Sequence, residues 1–253
     1  MRPNFIDGRW VDAPGSRPDI NPSDLADCIG EYAQADGLQA RAAIAAAAGA
    51  FPEWSVSGVQ ARADALERVA TELIARKDEL GTLLSREEGK TLPEGMAEVV
   101  RAGQIFRFFA GETVRLRGDR VASVRTGVDV EVTREPVGVV GVITPWNFPM
   151  AIPAWKIAPA LAHGNCVVFK PSELVPACAW ALAEILSRSG LPPGVFNLVI
   201  GSGRDVGQTL LEDSRVDALT FTGSTSVGER VIQACAARRA RAQVEMGGKN
   251  PLI

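Results

Sequence analysis

Several short segments of this sequence set chemically capable residues at positions where chemistry can be done. Thr144-Pro145-Trp146-Asn147-Phe148-Pro149 follows an uncharged apolar run and holds a carboxamide between two prolines. A carboxamide fixed there can donate an N–H to a developing oxyanion, although an asparagine in a turn ordinarily satisfies its own backbone. Lys170-Pro171-Ser172-Glu173 joins a cation to a carboxylate. The carboxylate can accept both hydroxyls of a ribose and the ammonium can donate to ribose or phosphate; a solvated ion pair is the plainer reading. Thr222–Gly228 is a glycine-rich junction whose free N–H groups and helix dipole would attract a phosphate. Its spacing is G-x-x-x-x-G, which is neither the dinucleotide fingerprint nor a P-loop, since no Lys-Ser/Thr follows Gly228. Gly201-Ser202-Gly203 is a weaker signal of the same kind. Glu245-Met246-Gly247-Gly248 sets a carboxylate beside two glycines, where an apolar site can raise its pKa and make it a general base. Lys156 lies on a charge-poor helix and reads either as a snorkelling lysine or as a buried functional one.

Composition narrows the setting. The chain has 253 residues, 46% of them apolar, and a formal net charge of −3. That allows one large domain or two modest ones, with a core needing no disulfide or metal and no tendency to disorder. The acidic balance argues against a nucleic-acid binder. The one basic cluster, Arg238, Arg239 and Arg241, is expected at a helix C-terminus. A single histidine, His163, without a G-x-S-x-G elbow excludes a Ser-His-Asp hydrolase and a zinc site of His ligands. No metal site is expected. The four cysteines form no C-x-x-C pair, which suits a reducing cytoplasm and burial as small apolar residues. Residues 136–155 carry no charge, about the length of a membrane span, but Pro136, Pro145, Pro149 and Pro153 interrupt them. A buried strand, a turn and a buried helix explain the run better, and neither a membrane partner nor a secretory signal is expected.

The elements that must position these segments alternate. Asn4–Val11 reads as a hairpin about Asp7-Gly8, and residues 29–33 as a short strand. Helical spacing covers residues 38–50 and 59–84, with Leu66, Val69, Leu73 and Leu80 on one face and Arg62, Glu67, Arg76 and Lys77 largely elsewhere. Another helix is expected over 98–114, with Phe106, Phe108 and Phe109 in the core. Residues 119–137 form a strand-like arm with two polar faces about Thr126-Gly127, of the kind that pairs with another subunit. From Val137 onward strands (137–143, 166–169, 196–200, 216–222, 243–246) alternate with helices (150–162, 176–189, 204–211, 226–239). The expected fold is α/β, a Rossmann-like open parallel sheet covered on both faces, and ligands of such a sheet bind at the carboxyl ends of its strands. The segments named above all follow strands.

In order and spacing, residues 143–149, Ala154-Trp155-Lys156, Lys170–Glu173, Phe221–Gly228 and Glu245–Asn250 resemble the aldehyde dehydrogenase superfamily, as do Ile6-Asp7-Gly8 and Glu88-Gly89-Lys90. The resemblance runs through the whole chain. It implies oxidation of an aldehyde to an acid with NAD or NADP, through attack of a cysteine thiolate, hydride transfer and hydrolysis of a thioester. Asn147 matches the asparagine that holds the oxyanion, Glu245 the residue that activates water, and Lys156 a lysine assigned to a charge relay. Lys170, Pro171, Ser172 and Glu173 match the adenine-ribose site. Gly223, Ser224, Val227 and Gly228, with Gly203, match the pyrophosphate site. Ile143, Thr144, Pro145, Trp146, Met246 and Gly247 complete the implied cofactor path. The resemblance makes 1–118 and 138–253 an NAD(P)-binding domain and 119–137 an oligomerisation arm, the full-length enzyme being a homodimer or homotetramer.

One departure stands out. The family's nucleophilic cysteine lies beyond the Glu-x-Gly-Gly motif, and none of Cys28, Cys166, Cys178 or Cys235 matches it. The chain therefore reads as the amino-terminal part of the enzyme, with the catalytic domain absent and no activity expected of it alone, ending inside a strand over Pro251-Leu252-Ile253. Asn21-Pro22-Ser23-Asp24 with Ile29-Gly30-Glu31-Tyr32 is similar to bacterial enzymes for 2,5-dioxopentanoate (2-oxoglutarate semialdehyde), with betaine aldehyde and succinate semialdehyde as other substrates. Glu173 should repel a 2′-phosphate while Lys170 and Ser172 accommodate one, so use of both NAD and NADP is expected. The competing reading is a non-catalytic dinucleotide-binding or assembly module on the same fold.

Overall fold

The computed structural model describes residues 1–251. Strands β1 (Asn4–Ile6) and β2 (Arg9–Val11) form the expected hairpin. Its turn residues Asp7 and Gly8 have φ of 52° and 73°, the left-handed pair that an Asp-Gly turn favours. β3 (Gly15–Ile20) and β4 (Cys28–Gln34) make a separate antiparallel pair. β3 has no apolar alternation to announce it, and only Asp19 in it is buried; pairing with β4 makes it a strand.

Helix α1 (Gly37–Ser55) starts at Asp36, whose carboxylate accepts from the N–H groups of Leu38 and Gln39. The helix expected over 59–84 is two, α2 (Val59–Ala75) and α3 (Lys77–Glu88), broken at Arg76. The Arg76 guanidinium there gathers Glu72, Glu79 and Glu184 at 3.0, 2.7 and 3.0 Å. Arg62, expected off the apolar face, is buried. α4 (Leu92–Thr113) begins well before Glu98, because Thr91 and Glu94 form a capping box and Pro93 sits in the first turn. Of its aromatic residues Phe106 is in the core, whereas Phe108 is 57% exposed. Strands β5 (Asp119–Ala122) and β6 (Asp129–Val132) form a hairpin exposed at every strand position.

The remainder alternates: β7 (Val139–Ile143), α5 (Ala151–Ala162), β8 (Cys166–Lys170), α6 (Pro176–Ser187), β9 (Phe196–Leu198), a π-helical turn (Gly203–Gly207) leading into α7 (Gln208–Glu212), β10 (Val216–Gly223), α8 (Thr225–Arg238) and β11 (Arg241–Met246). The main sheet has the order β11-β10-β7-β8-β9-β1-β2. Its first five strands are parallel, but β1 joins β9 antiparallel, so the sheet is mixed rather than wholly parallel. Helices α1, α7 and α8 pack on one face, and α5 and α6 on the other, with α2, α3 and α4 layered over them. This double cover is why β7 and β8 carry uninterrupted apolar runs. Arg238 does end α8, yet its guanidinium reaches the carbonyl of Leu211 in the last turn of α7 at 3.0 Å. The cation thus serves the neighbouring helix rather than its own. The strand expected over Pro251-Leu252-Ile253 falls on Leu252 and Ile253, outside the described residues; Pro251 has no regular structure.

One polar seam ties the layers together. Glu87, 3% exposed at the end of α3, accepts from the N–H groups of Ala177 and Cys178 at the start of α6. Asp19 of β3, 5% exposed, lies against it. Burial pushes the Asp19 carboxyl up to about 6, against the pull of Glu87, Arg86 and Arg17. Burial, with Asp19 beside it, raises Glu87 well above the usual range. Asp19 Oδ2 has no hydrogen-bond partner among the described residues.

Candidate active site

Strand register brings the sequence segments into one line. Lys170 pairs with Ile143, Ile143 with Phe221, and Phe221 with Val244, one residue before Glu245. The carboxyl ends of β8, β7, β10 and β11 therefore stand side by side. Side chains alternate across a strand. Thr220 and Thr222 of β10, and Gln243 and Glu245 of β11, accordingly face α5, while Phe221 and Met246 face the first turns of α8, where they lie close against Gly228.

On the α5 face, Lys156 is 7% exposed, so the structure decides for the buried reading. Its ammonium donates to Thr220 Oγ1 at 2.8 Å and to Gln243 Oε1 at 3.1 Å. The Gln243 amide in turn donates to Glu245 Oε1 at 3.2 Å. Burial pushes the Lys156 ammonium down to about 8, with Glu245 opposing the shift. A cavity of about 440 Å³ is lined by Ile152, Trp155, Lys156, Thr222, Gln243 and Glu245. Neither Thr220 nor Gln243 was singled out in the sequence. The period-2 spacing of Gln243 to Glu245 was the available signal.

Asn147 sits in the turn between β7 and α5, exposed, and its carboxamide makes no hydrogen bond among the described residues. The ordinary reading, an asparagine satisfying turn backbone, is therefore not what the structure contains. Its main-chain carbonyl accepts from Lys90 Nζ at 3.0 Å. The same ammonium lies 2.8 Å from Glu98 Oε2 and 2.9 Å from Glu88 Oε2, and 4.1 Å from the centre of the Phe148 ring. Glu98 Oε1 accepts from the N–H groups of Met150 and Ala151 at 2.9 and 3.1 Å. Burial works against the Lys90 charge, but Glu98 and Glu88 outweigh it and hold its pKa above the usual lysine value. A second cavity, about 500 Å³, lies between α4 and this turn and shares Trp155 with the first.

The remaining residues line the strand ends. Thr144 is buried and donates from its N–H to the Lys170 carbonyl at 3.3 Å. Lys170 is also buried, its ammonium on the Pro171 carbonyl at 2.8 Å; burial lowers its pKa and Glu173 opposes that. The Glu173 carboxylate is half-buried and has no hydrogen-bond or ion-pair partner among the described residues. Trp146 and Val227 are exposed, at 52% and 39%, beside the strand ends. Ser224 is the N-cap of α8 but its hydroxyl caps nothing, leaving the first N–H groups of a 14-residue helix open to an anion. Open helix terminus, free carboxylate and buried lysine fit a dinucleotide's pyrophosphate and ribose. Gly203 opens the π-helical turn in open space, and Gly247 lies beyond β11.

Three of the four cysteines are shut away from solvent. Cys166, Cys178 and Cys235 are buried, and burial raises each thiol, that of Cys166 to about 12. Cys28 is exposed in β4, in the separate two-stranded pair.

An α/β sheet with an open helix terminus, a turn carboxamide and an edge-strand carboxylate along its strand ends is of the class that receives its ligands there. The chain belongs to the aldehyde dehydrogenase family, whose profile matches residues 10–253. It is 44% identical to the alpha-ketoglutaric semialdehyde dehydrogenase of Bacillus subtilis, over 99% of this chain and 52% of that protein. It is 38% identical to the 2,5-dioxopentanoate dehydrogenase of Saccharolobus solfataricus, over 96% of this chain and 52% of that one. Betaine aldehyde dehydrogenase of Staphylococcus aureus, solved with NAD+, superposes with a TM-score of 0.95 at 33% identity, over 99% of this chain and 52% of that one. The chain spans about half the length of the relatives it matches. No helix among the described residues is long and apolar enough to cross a membrane.

Proposed function

We propose that this chain is the cofactor-binding part of an NAD(P)-dependent aldehyde dehydrogenase acting on a semialdehyde such as 2,5-dioxopentanoate. The observation that carries the reading is the alignment of the carboxyl ends of β7, β8, β10 and β11: Asn147 lies in the turn after β7, Lys156 and Glu245 line one cavity on the α5 face, and the open N-terminus of α8 follows β10. The α8 N–H groups and Ser224 take the pyrophosphate, while Glu173 and Lys170 take the ribose. When bound, the dinucleotide supplies the hydride acceptor. Asn147 Nδ2, free of internal partners, donates to the oxyanion that forms when the aldehyde carbonyl is attacked. Glu245 accepts a proton from the water that releases the acid, and Gln243 aims its carboxylate. Lys156, its pKa near 8, donates to Thr220 and to Gln243 Oε1 and so fixes the amide whose N–H is turned towards Glu245. The attacking thiolate is none of this chain's four cysteines, and the β5–β6 hairpin serves assembly into a homodimer or homotetramer.

The test is aldehyde-dependent reduction of NAD and NADP by the full-length gene product, followed at the absorbance of the reduced nicotinamide. Turnover of 2,5-dioxopentanoate above that of betaine aldehyde is expected. Dinucleotide binding with no turnover of any aldehyde would favour the non-catalytic module instead. The 253-residue chain alone should bind reduced dinucleotide and leave aldehydes untouched; a thioester trapped on one of its own cysteines would overturn that part.

A further inference from the structure

We propose that buried Glu98 and half-buried Lys90 together are the positioning device for Asn147, clamping the main chain that follows its side chain so that the carboxamide is aimed before charge develops on substrate. The inference rests on the reading of Asn147 as the oxyanion donor. Glu98 is 5% exposed and reaches from α4 to the first N–H groups of α5, at Met150 and Ala151. Lys90 bridges from the same carboxylate to the carbonyl of Asn147 itself and covers the ring of Phe148. One ion pair thus fixes residues 147, 148, 150 and 151, and Pro149 between them adds its own fixed φ. Gly89, at φ 82°, ends α3 in the left-handed conformation and turns Lys90 towards that segment.

Stability alone does not call for this arrangement. A buried ion pair recovers little more than its desolvation cost, and well-packed apolar residues of similar volume often serve a core as well. Glu98 also gives α5 the anionic cap that Met150, its N-cap residue, lacks. That function needs a carboxylate but no lysine, and no bond from a lysine to Asn147. Nor does Lys90 bring net positive charge to the site, because Glu88 and Glu98 both face it within 3 Å and Glu94 lies on the same side of α4. Its contribution is therefore placement.

The experiment is a double-mutant cycle in the full-length gene product, with kcat expressed per site titrated by reduced dinucleotide. Lys90→Met should lower kcat about 10- to 100-fold, the loss expected of a displaced catalytic group, while the KM for NAD and the pH profile stay in place. Lys90→Arg, which keeps a cation and its donors, should recover most of the loss. In an Asn147→Ala background Lys90→Met should cost nothing further, since it acts only through the carboxamide. Glu98→Gln keeps an acceptor for the two N–H groups but turns a donor towards Lys90; it enters the same cycle should Lys90→Met fail to fold. Equal losses in both backgrounds, or no loss in the parent, would overturn the proposal. Full kcat in Asn147→Ala would instead overturn the reading of Asn147 and leave the clamp a structural brace.

Discussion

The two catalytic candidates are held in opposite ways. Asn147 occupies a turn whose carbonyl is tied to half-buried Lys90 and whose following N–H groups are tied to buried Glu98, while its carboxamide has no partner among the described residues. Glu245 occupies an exposed edge strand, and its carboxylate has a single hydrogen bond among the described residues, from Gln243 at 3.2 Å. The difference matches the two tasks. An oxyanion donor stabilises charge only if it is oriented before the charge appears. A base that activates water must meet solvent, collect a proton and let it go.

The largest effects should separate these tasks by step. Glu245→Gln is expected to lower kcat by about 10²- to 10⁴-fold at the hydrolytic step, with a burst of reduced dinucleotide preserved. Asn147→Ala should lower it about 10²- to 10³-fold and abolish the burst. Rapid-quench kinetics distinguishes the two, and an identical loss of burst in both variants would break the contrast. Next in size is Glu173→Thr, which removes the charge facing a 2′-phosphate; kcat/KM for NADP relative to NAD should rise about tenfold, and an unchanged ratio would refute the ribose role. Gln243→Leu removes the hydrogen bond that Glu245 accepts from Gln243 and should cost only about threefold in kcat. A loss as large as that for Glu245 would mean the edge strand is held as tightly as the turn.

Lys156 tests the same face through stability. Its folded pKa of about 8 lies below the ordinary lysine value of 10.5, so the unfolded chain binds the proton more strongly. The folded state consequently gains stability as pH rises from about 8 towards 10.5. Lys156→Met should melt higher than the parent at pH 7, by about 1 kcal/mol, and thermal melts should show the gap closing over that interval.

Much of this was legible in the sequence because register follows from local pattern. Continuous apolar strands placed Ile143, Lys170, Thr222 and Glu245 at strand ends, and the topology of a parallel sheet aligned those ends. What could not be read was long-range and polar. Nothing local to Gln243 or Thr220 says that each meets Lys156, and nothing local to Glu98 says that it crosses to α5. The split at Arg76 depends on Glu184, far away in the chain, and β3 depends on its partner strand. Where a side chain's partner comes from another element, residue type alone left chemical and structural readings open, as it did for Asn147.

The seam between Asp19 and Glu87 makes folding a proton-consuming reaction. With Asp19 raised from 3.8 to about 6, the folded chain holds a proton through an interval in which the unfolded chain releases it. Folding between those values therefore takes up protons from solvent, and the stability this brings is complete below 3.8 and drains away as pH rises through about 6. The docking of the β3–β4 pair onto α3 and α6 thus tightens in mild acid, where most proteins begin to loosen. Asp19→Asn would remove Asp19's share of the proton uptake, leaving that of Glu87, and an indicator dye in weak buffer would register the decrease.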